Sequence, residues 1–157
     1  MQISAVLTLV GVMAEQTAYV GLFAAAFAAA TLLPAQSETV LAALLLTKSY
    51  SAWLLIAVAS VGNVLGSTLN WFIGRGVERF RDRRWFPANQ QSLDRAQKWY
   101  QRFGKWSLLA SWVPIIGDPI TVVAGILREP LPTFLLLVTI AKTGRYLALA
   151  AVLENWV

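Results

Sequence analysis

The chain has 157 residues, of which 57% are hydrophobic and only 13% are charged, and its formal net charge is +5. Soluble domains carry about 25% charged residues, so this composition indicates one membrane domain over residues 1–157 with an all-α fold. The sequence contains no histidine and no cysteine, which excludes disulfides, thiolate chemistry, histidine acid–base catalysis and the common zinc sites. We expect no cofactor, no bound metal and no catalytic residue.

The N-terminal run Gln2–Met13 is apolar, and no positive residue precedes it except the terminal amine. It is shorter than the roughly 20 residues that cross a membrane, and it makes an unconvincing cleaved signal peptide. We expect it to remain in the mature chain as an interfacial or partly inserted helix.

Two short apolar arms follow, Tyr19–Leu33 and Thr39–Thr47, and neither reaches the length of a full span. This pattern favours a re-entrant helical hairpin, whose non-helical backbone is tolerated at membrane depth only where protein or water covers it. The alternative is one long kinked helix that ends near Lys48. The predicted hairpin tip consists of Pro34, Gln36 and Ser37.

The next segment, Ala52–Ile73, has the length of a full span, with Trp53 and Trp71 near its ends as in an aromatic belt. Its glycines Gly62 and Gly66 form a small-xxx-small pair that allows another helix to approach closely. Three polar residues share one face of this helix and are expected to point into the protein, towards packing or a wet path: Asn63, Ser67 and Asn70.

Nine of the 13 Lys and Arg residues lie between Arg75 and Lys105. The positive-inside rule predicts that this loop, 75–105, is cytoplasmic. Within it, Ser92–Phe103 is predicted to be an amphipathic helix on the anionic inner leaflet, with Ser92 as N-cap and Gly104 as the stop. Its apolar stripe consists of Leu93, Ala96, Tyr100 and Phe103, with Trp99 beside it. An ordinary solvated loop would explain the arginines but not the interleaved aromatic residues.

A second interrupted segment, Trp106–Leu127, breaks at "WVPIIGDP", and the last long span is Leu131–Val152. The residues of this second predicted hairpin tip are Pro114, Gly117 and Pro119.

The two breaks repeat one pattern at a constant offset of 80 positions: Pro34, Glu38 and Lys48 correspond to Pro114, Asp118 and Arg128. Internal repeats are typical of membrane transporters, which predicts two re-entrant hairpins and two spans in an inverted repeat. The first repeat covers 14–74, the basic loop with its amphipathic helix 75–104, and the second repeat 105–153. The first hairpin would open to the outside and the second to the cytoplasm, so that both acids face each other near the midplane.

Four charged side chains are expected inside the membrane: Glu38, Asp118, Lys142 and Arg145. A charge at the midplane costs about 2.5–3.5 kcal/mol even on insertion scales, so we expect pairing, with Arg145 bound to Asp118 or Glu38. In one interpretation these pairs only hold hairpins against spans. In the other, a carboxylate carries a proton and a cation binds an anionic head group. The second interpretation predicts a proton-linked transporter for an anionic or zwitterionic lipid.

The ordered series "LLPAQSE", "GNVLGS", "SWVPIIGDPITVVAG" and "AKTGRY" resembles the DedA superfamily of SNARE-associated or VTT-type membrane proteins, most closely its YqaA-like branch. The resemblance covers about Phe23–Val152. It implies inward-facing re-entrant hairpins, whereas the bacterial inner membrane location is expected from the helical spans and the basic loop. It also implies lipid translocation that depends on the proton-motive force, with undecaprenyl phosphate and phosphatidylethanolamine among the substrates of members. The first-hairpin glutamate of the family matches Glu38.

The chain departs from the family pattern at the second hairpin. Members of the superfamily carry two arginines there, in a pattern like R-F-x-P-x-x-R, where this chain has Ser111 and Gly117. Arg145 offers a replacement positive charge from the last span. The departure leaves the lipid, or another small solute, open as the substrate.

Three other functions compete with transport of a lipid. An intramembrane aspartyl protease needs two carboxylates that share a proton, as Glu38 and Asp118 would, but its partner Tyr-Asp motif is absent. A non-transporting scaffold for envelope homeostasis would depend on the surface of Arg81–Arg84, and an ion channel is disfavoured because no acidic ring is present. We therefore predict a transporter that is not an enzyme, with membrane lipids and protons as partners, no nucleic acid, and a homo-oligomer left open.

Overall fold

The computed structural model describes residues 2–31, 36–76, 90–113 and 116–156, and the side chains of these ranges except 2–10, 36, 90–94 and 154–156. Every regular element in this part of the chain is helical, which confirms the all-α fold class. The elements are α1 (Gln2–Thr31), α2 (Gln36–Leu46), α3 (Ala52–Arg75), α4 (Gln90–Phe103), a 3-10 helix (Gly104–Trp112), α5 (Gly117–Ile126) and α6 (Leu131–Trp156).

Within the described residues, three stretches are long and apolar enough to cross a membrane: Gly11–Thr31 in α1, Ala52–Arg75, which is the whole of α3, and Leu131–Leu153 in α6. The two predicted spans are therefore confirmed. Helices α2 and α5 have 11 and 10 residues and cannot cross a membrane alone, since a helix rises about 1.5 Å per residue.

The N-terminal region forms one continuous helix, α1. The expectation that Tyr19–Leu33 is a separate arm, too short to cross a membrane, is wrong, because it belongs to a helix whose part Gly11–Thr31 is long enough to cross. The interfacial or partly inserted position of Gln2–Met13 stays a prediction. The polar residues between these two stretches, Glu15 and Gln16, interrupt the apolar run but are good helix formers, so the helix continues through them. The hairpin topology, the inverted repeat and the repeat boundaries stay predictions.

Helices α1 and α3 pack in parallel at very short range. A Cβ atom on Gly62 would lie 2.7 Å from the carbonyl oxygen of Phe23, and one on Gly66 would lie 2.6 Å from that of Phe27. These contacts advance together along both helices, which gives the parallel direction. The predicted role of the glycine pair in close helix approach is confirmed.

Helices α3 and α6 run antiparallel. Near the end of α3, Trp71 packs against Phe134 at the start of α6, with ring centroids 6.0 Å apart. Further back on α3, Asn63 contacts Tyr146, which is more than three turns later on α6. The connection from α5 to α6 lies near the end of α3, because the Trp71 indole N–H donates a hydrogen bond of 3.1 Å to the Glu129 carbonyl.

The buried apolar side chains form two clusters, one towards each end of the α3–α6 pair. The cluster near the end of α3 contains Trp71, Ala96, Tyr100, Leu108, Ile120, Val123, Ala124, Phe134, Leu137 and Val138. The cluster near its start contains Leu22, Ala26, Leu41, Leu55, Ile56, Ala59, Tyr146 and Ala150. Polar side chains of α2, α3, α5 and α6 meet between the two clusters.

The amphipathic helix α4 begins at Gln90, so the predicted N-cap at Ser92 is wrong. Its end at Phe103 and the stop at Gly104, whose φ is +58°, are confirmed.

Of the predicted apolar stripe, Ala96 and Tyr100 are buried in the first cluster, whereas Phe103 is 48% exposed. The stripe is therefore divided: one part packs on the protein and another faces outward. The side chain of Leu93 lies outside the described residues, and the cytoplasmic side of loop 75–105 stays a prediction.

A hydrogen bond fixes α4 against the α5–α6 connection, since the Tyr100 hydroxyl donates to the carboxylate of Glu129. Burial raises the pKa of this hydroxyl above its ordinary value, and the hydrogen bond and negative charge of Glu129 raise it further.

Candidate functional site

Two ion pairs meet one turn of α6. Lys142, the middle residue of the span Leu131–Leu153, is 3% exposed, and its ammonium donates a hydrogen bond of 3.0 Å to Asp118 Oδ1. Three residues later, the Arg145 guanidinium forms an ion pair with Glu38 Oε1. The structure thus brings together all four charged residues predicted inside the membrane and gives Arg145 the glutamate as partner. We call this group the four-charge site.

Each carboxylate of the four-charge site lies in the first turn of a short helix, Glu38 in α2 and Asp118 in α5. The partial positive charge at a helix N-terminus stabilises an acidic side chain there. Each acid therefore receives favourable electrostatic interactions from its own helix and from a cation on α6. The second oxygen of Glu38, Oε2, is buried and has no hydrogen-bond partner among the described residues.

A hydrogen-bonded chain beside the four-charge site joins three helices. The Asn63 side-chain amide on α3 donates to the Tyr146 hydroxyl at 2.6 Å, and this hydroxyl donates to Ser37 Oγ on α2 at 3.0 Å. Tyr146 is missing from the predicted site residues. Its position four residues after Lys142, on the same face of a helix, is the sequence signal that identifies it.

The predicted polar face of α3 is buried, and all three of its residues are 3% exposed or less. Asn70 binds the end of α1 through a 2.7 Å hydrogen bond from its amide to the Ala30 carbonyl. Ser60, which the prediction omits, extends the face by one turn towards the start of α3 and is also buried. Four buried polar atoms of this face have no partner within the described residues: Ser60 Oγ, Asn63 Oδ1, Ser67 Oγ and Asn70 Oδ1. Such atoms each cost about 1–3 kcal/mol unless water or a ligand binds them.

The predicted tip residues are described only in part. Pro34, Pro114 and the side chain of Gln36 lie outside the described residues. Ser37 and Pro119 are buried, and each is the sequence neighbour of one of the two acids.

The backbone around Gly117, in the predicted second tip, has no room for the arginine that the family pattern puts at this position. A Cβ atom on Gly117 would overlap the backbone carbonyl of Ser111, so any side chain there requires this backbone to move. Ser111 is itself buried, and its hydroxyl has no partner within the described part of the chain. The positive charges of this site come from α6 instead. Among the described residues, no three acidic side chains lie together in a way that would hold a metal ion.

A family model, the VTT domain, matches residues 33–155, a range that contains the whole four-charge site. The chain belongs to the VTT domain family. The predicted resemblance to the DedA superfamily is thereby confirmed.

Relatives of this VTT domain protein are found in several bacteria. The Escherichia coli inner membrane protein YqaA is 36% identical over 139 residues, which cover 88% of this chain and 93% of that protein. A Haemophilus influenzae protein is 36% identical over 135 residues, 82% of each chain. The Staphylococcus aureus undecaprenyl phosphate transporter A is 27% identical over 121 residues, 71% of this chain and 60% of that protein. No solved structure matches.

The relatives and the three span-length helices together identify this VTT domain protein as a multi-pass protein of the bacterial inner membrane. This confirms the predicted location.

Proposed function

We propose that the protein is a proton-linked lipid translocase for an anionic or zwitterionic lipid. One observation carries the proposal: a single turn of α6 presents two cations, and each holds a carboxylate from a different short helix. Placing charged side chains inside a membrane span costs free energy, and such residues usually mark a path for a substrate or a proton.

The chemistry of the four-charge site suits exchange between a phosphate and a carboxylate. A guanidinium binds a phosphate through two parallel hydrogen bonds, so a lipid head group can compete with Glu38 for Arg145. Once the head group binds Arg145, Glu38 loses its counter-charge, and an uncompensated carboxylate inside a membrane is costly. Lipid binding and proton binding would then change together.

The unpartnered polar atoms on α3 support a wet path to this site. They recur along one face from Ser60 to Asn70 and pass the hydrogen-bonded chain at Asn63. Water bound along this face would satisfy these atoms and would let protons reach the carboxylates.

The helix contacts support a re-entrant and inverted arrangement. Tyr19 of α1 packs edge-on against Tyr50, just after α2, with ring centroids 5.8 Å apart, so both arms of the first hairpin reach the end of the molecule where α3 begins. Helix α5 starts at the central Lys142–Asp118 pair and approaches Trp71 near the opposite end of α3, where Gly125 meets its backbone. In this arrangement the two hairpins enter from opposite sides and the two acids meet in the middle.

The relatives support lipids as the substrate class. The Staphylococcus aureus relative is named as a transporter of undecaprenyl phosphate, which is a phosphate on a long apolar chain. We propose a phosphate-bearing lipid for this chain too and leave the chain type open, because Ser111 and Gly117 replace the two arginines of the family pattern.

The pairing also supports a transporter over a protease. An aspartyl dyad needs two carboxylates that share one proton, whereas Glu38 and Asp118 each pair with a separate cation. We propose that the protein is not an enzyme.

The test is lipid movement in proteoliposomes that hold the purified chain. Wild type, Glu38→Gln, Asp118→Asn and Arg145→Ala would be compared, with and without an imposed pH gradient, using labelled undecaprenyl phosphate and labelled phospholipids. We expect wild type to move at least one of these lipids, and each variant to lose most of that rate. Glu15→Gln is the matched control, because Glu15 is an exposed acid on α1 outside the site, and it should retain the wild-type rate.

The outcomes separate the alternatives. If the wild-type rate of lipid movement is the same with and without the pH gradient, proton linkage is contradicted, and the protein is an uncoupled scramblase. A folded, inserted wild type that moves no lipid would contradict translocation. Envelope defects on substitution of Arg81–Arg84 in cells, with no effect of Glu38→Gln, would favour the scaffold.

A further inference from the structure

A second site lies at the end of the molecule opposite the basic loop. There, a pocket of about 320 Å³ opens between the end of α2, the start of α3 and the end of α6. Leucine and alanine side chains line most of it, and two residues with polar groups complete the lining, Lys48 and Tyr50. This volume falls at the lower end of the range of about 300–1,000 Å³ for small-molecule sites. We call it the Lys48 pocket.

The position of the Lys48 pocket along the membrane normal follows from its lining. Ala52 is the first residue of α3 and Leu153 the last of the α6 span, and the opposite end of α3 carries Arg75, where the basic loop begins. Exposed Trp53 stands next to Ala52, as expected for a residue at the interface between hydrocarbon and water. The pocket therefore lies at head-group level in the leaflet away from the basic loop.

Lys48 adopts a backbone conformation that is unfavourable for lysine. Its φ is +53°, and its backbone N–H donates to the Leu45 carbonyl at 3.1 Å, so it occupies the left-handed position that ends α2. Glycine is the preferred residue at such a position, because any Cβ is strained there. The ammonium of Lys48 is exposed and has no hydrogen-bond or ion-pair partner among the described residues. The side chain therefore makes no specific contact that offsets the strain, apart from the favourable effect of a cation at the C-terminal end of a helix.

The same arrangement recurs in the second half of the chain. Arg128, 80 positions later, ends α5 with φ +58°, and its N–H donates to the Gly125 carbonyl at 3.0 Å. Of the described non-glycine residues, only Lys48 and Arg128 have positive φ. In both halves of the chain, an exposed cation occupies a strained backbone position where glycine would fit better. This repetition indicates a role for the positive charge.

We propose that the Lys48 pocket binds a phosphate-bearing lipid of the leaflet away from the basic loop. The Lys48 ammonium binds the phosphate of the head group, and the start of one acyl chain lies against the leucines of α2 and α6. The inference rests on the proposed lipid function and gives it a loading site at one membrane surface, separate from the four-charge site in the middle.

The test measures equilibrium binding and needs no transport. The full chain in a zwitterionic detergent would be titrated with phosphatidylglycerol, and bound lipid would be counted by native mass spectrometry. We expect Lys48→Gln to weaken binding about tenfold or more, Lys48→Arg to bind as wild type, and Ala52→Phe to weaken binding by filling the pocket. Glu15→Gln, which changes an exposed charge of α1 outside the pocket, is the control and should leave binding unchanged.

A fourth variant, Lys48→Gly, separates function from folding. It removes the backbone strain, so its thermal midpoint should equal or exceed that of wild type while lipid binding falls as in Lys48→Gln. A lower midpoint would mean that the side chain serves the fold, and would overturn the proposal. Equal binding by wild type and Lys48→Gln would overturn it, as would equal weakening in Glu15→Gln.

A competition arm decides whether the site needs the acyl chain. Glycerol 1-phosphate in excess should leave bound phosphatidylglycerol in place, and displacement would contradict a lipid site. If wild type binds phosphatidylglycerol at the Lys48 pocket and yet moves no lipid in proteoliposomes, this result contradicts translocation but supports the Lys48 pocket as a lipid site. The failures of the two proposals are therefore distinguishable.

Discussion

Tyr146 joins three helices through one hydroxyl. The hydroxyl accepts a hydrogen bond from Asn63 on α3 and donates one to Ser37 on α2, and the ring is fully buried. Removing the hydroxyl leaves two buried polar groups without a partner, and such groups cost more than the net value of the hydrogen bonds themselves.

Tyr146→Phe should therefore lower the free energy of unfolding by about 1–3 kcal/mol. The measurement is thermal or denaturant-induced unfolding of the purified protein in detergent. Tyr19→Phe is the control, because the Tyr19 hydroxyl has no hydrogen-bond partner among the described residues, and its midpoint should stay at the wild-type value. Equal stability of wild type and Tyr146→Phe would mean that water replaces the missing hydroxyl.

At this scale the sequence identified the charges of the site but not their partners. Glu38, Asp118, Lys142 and Arg145 stand out because charges are rare in apolar segments. The choice of Glu38 as the partner of Arg145 depends on how α2 is rotated about its axis, which a single sequence does not encode locally. Tyr146 was not predicted as a site residue, because an aromatic side chain within a span is usually assigned to the apolar core.

At the scale of elements, α3 and α5 approach each other backbone to backbone. A Cβ atom on Gly74 would overlap the Val122 carbonyl, and one on Gly125 would overlap the Trp71 carbonyl. The two glycines thus hold the end of α5 against the end of α3, and this contact helps set where Asp118, at the other end of α5, meets α6.

Gly74→Ala is expected to destabilise the protein by about 1–3 kcal/mol or more, because two rigid backbones must separate to admit the methyl group. Gly21→Ala is the matched control: a Cβ there meets nothing within 4 Å, and alanine favours a helix over glycine by up to about 1 kcal/mol. Thermal midpoints of both variants in one detergent give the comparison. A midpoint of Gly74→Ala at or above that of Gly21→Ala would contradict the close contact.

The docking of α4 is predicted to weaken at alkaline pH. The Tyr100 hydroxyl ionises at about pH 10 in the unfolded chain, whereas its raised pKa keeps the proton on in the folded chain. The unfolded state then binds fewer protons, so stability falls as the pH rises through about 10.

Tyr100→Phe has no such proton and should show a flatter loss of stability with pH. Unfolding midpoints of wild type and Tyr100→Phe between about pH 8 and pH 11 test this difference. Parallel curves would show that other groups govern the alkaline transition.

Most helices were predictable from the sequence, and the helix boundaries that were predicted wrongly have physical explanations. The spans α3 and α6 follow from length and hydropathy, and the stop at Gly104 from glycine at a helix end. The continuity of α1 was missed because polarity near Glu15 was read as a boundary, although helix propensity stays high there. The start of α4 at Gln90 was missed because Ser92 was read as the N-cap, although Asn89, directly before Gln90 in the sequence, is an equally favourable residue type for that position.

At the scale of the whole molecule, the Arg145–Glu38 pair connects α6 with α2. Breaking a buried pair by removing one partner costs about 3–5 kcal/mol, and less is expected here because both side chains keep nearly a fifth of their surface exposed. Removing both charges is less harmful, since no unpaired charge remains.

Arg145→Gln and Glu38→Gln should each lower stability, and the double variant should lose less than the sum of the two. A double-mutant cycle of unfolding free energies measures the interaction, and the pair Glu15→Gln with Arg145→Gln gives an additive reference. If the losses of unfolding free energy in Arg145→Gln and Glu38→Gln add up in the double variant, the two side chains do not interact, which would contradict the ion pair. A double variant that is stable yet inactive in lipid movement would separate transport from folding.

The spacing of Lys142 and Arg145 has a consequence for how the two halves communicate. Three residues of α-helix separate them by only about 4.5 Å along a rigid axis, so a shift or rotation of α6 that lengthens one pair disturbs the other. The states of α2 and α5 are then thermodynamically linked, and such linkage is reciprocal. A change that weakened the Arg145–Glu38 pair would therefore alter the strength of the Lys142–Asp118 pair, and a change at Asp118 would act back on Glu38 by the same coupling free energy.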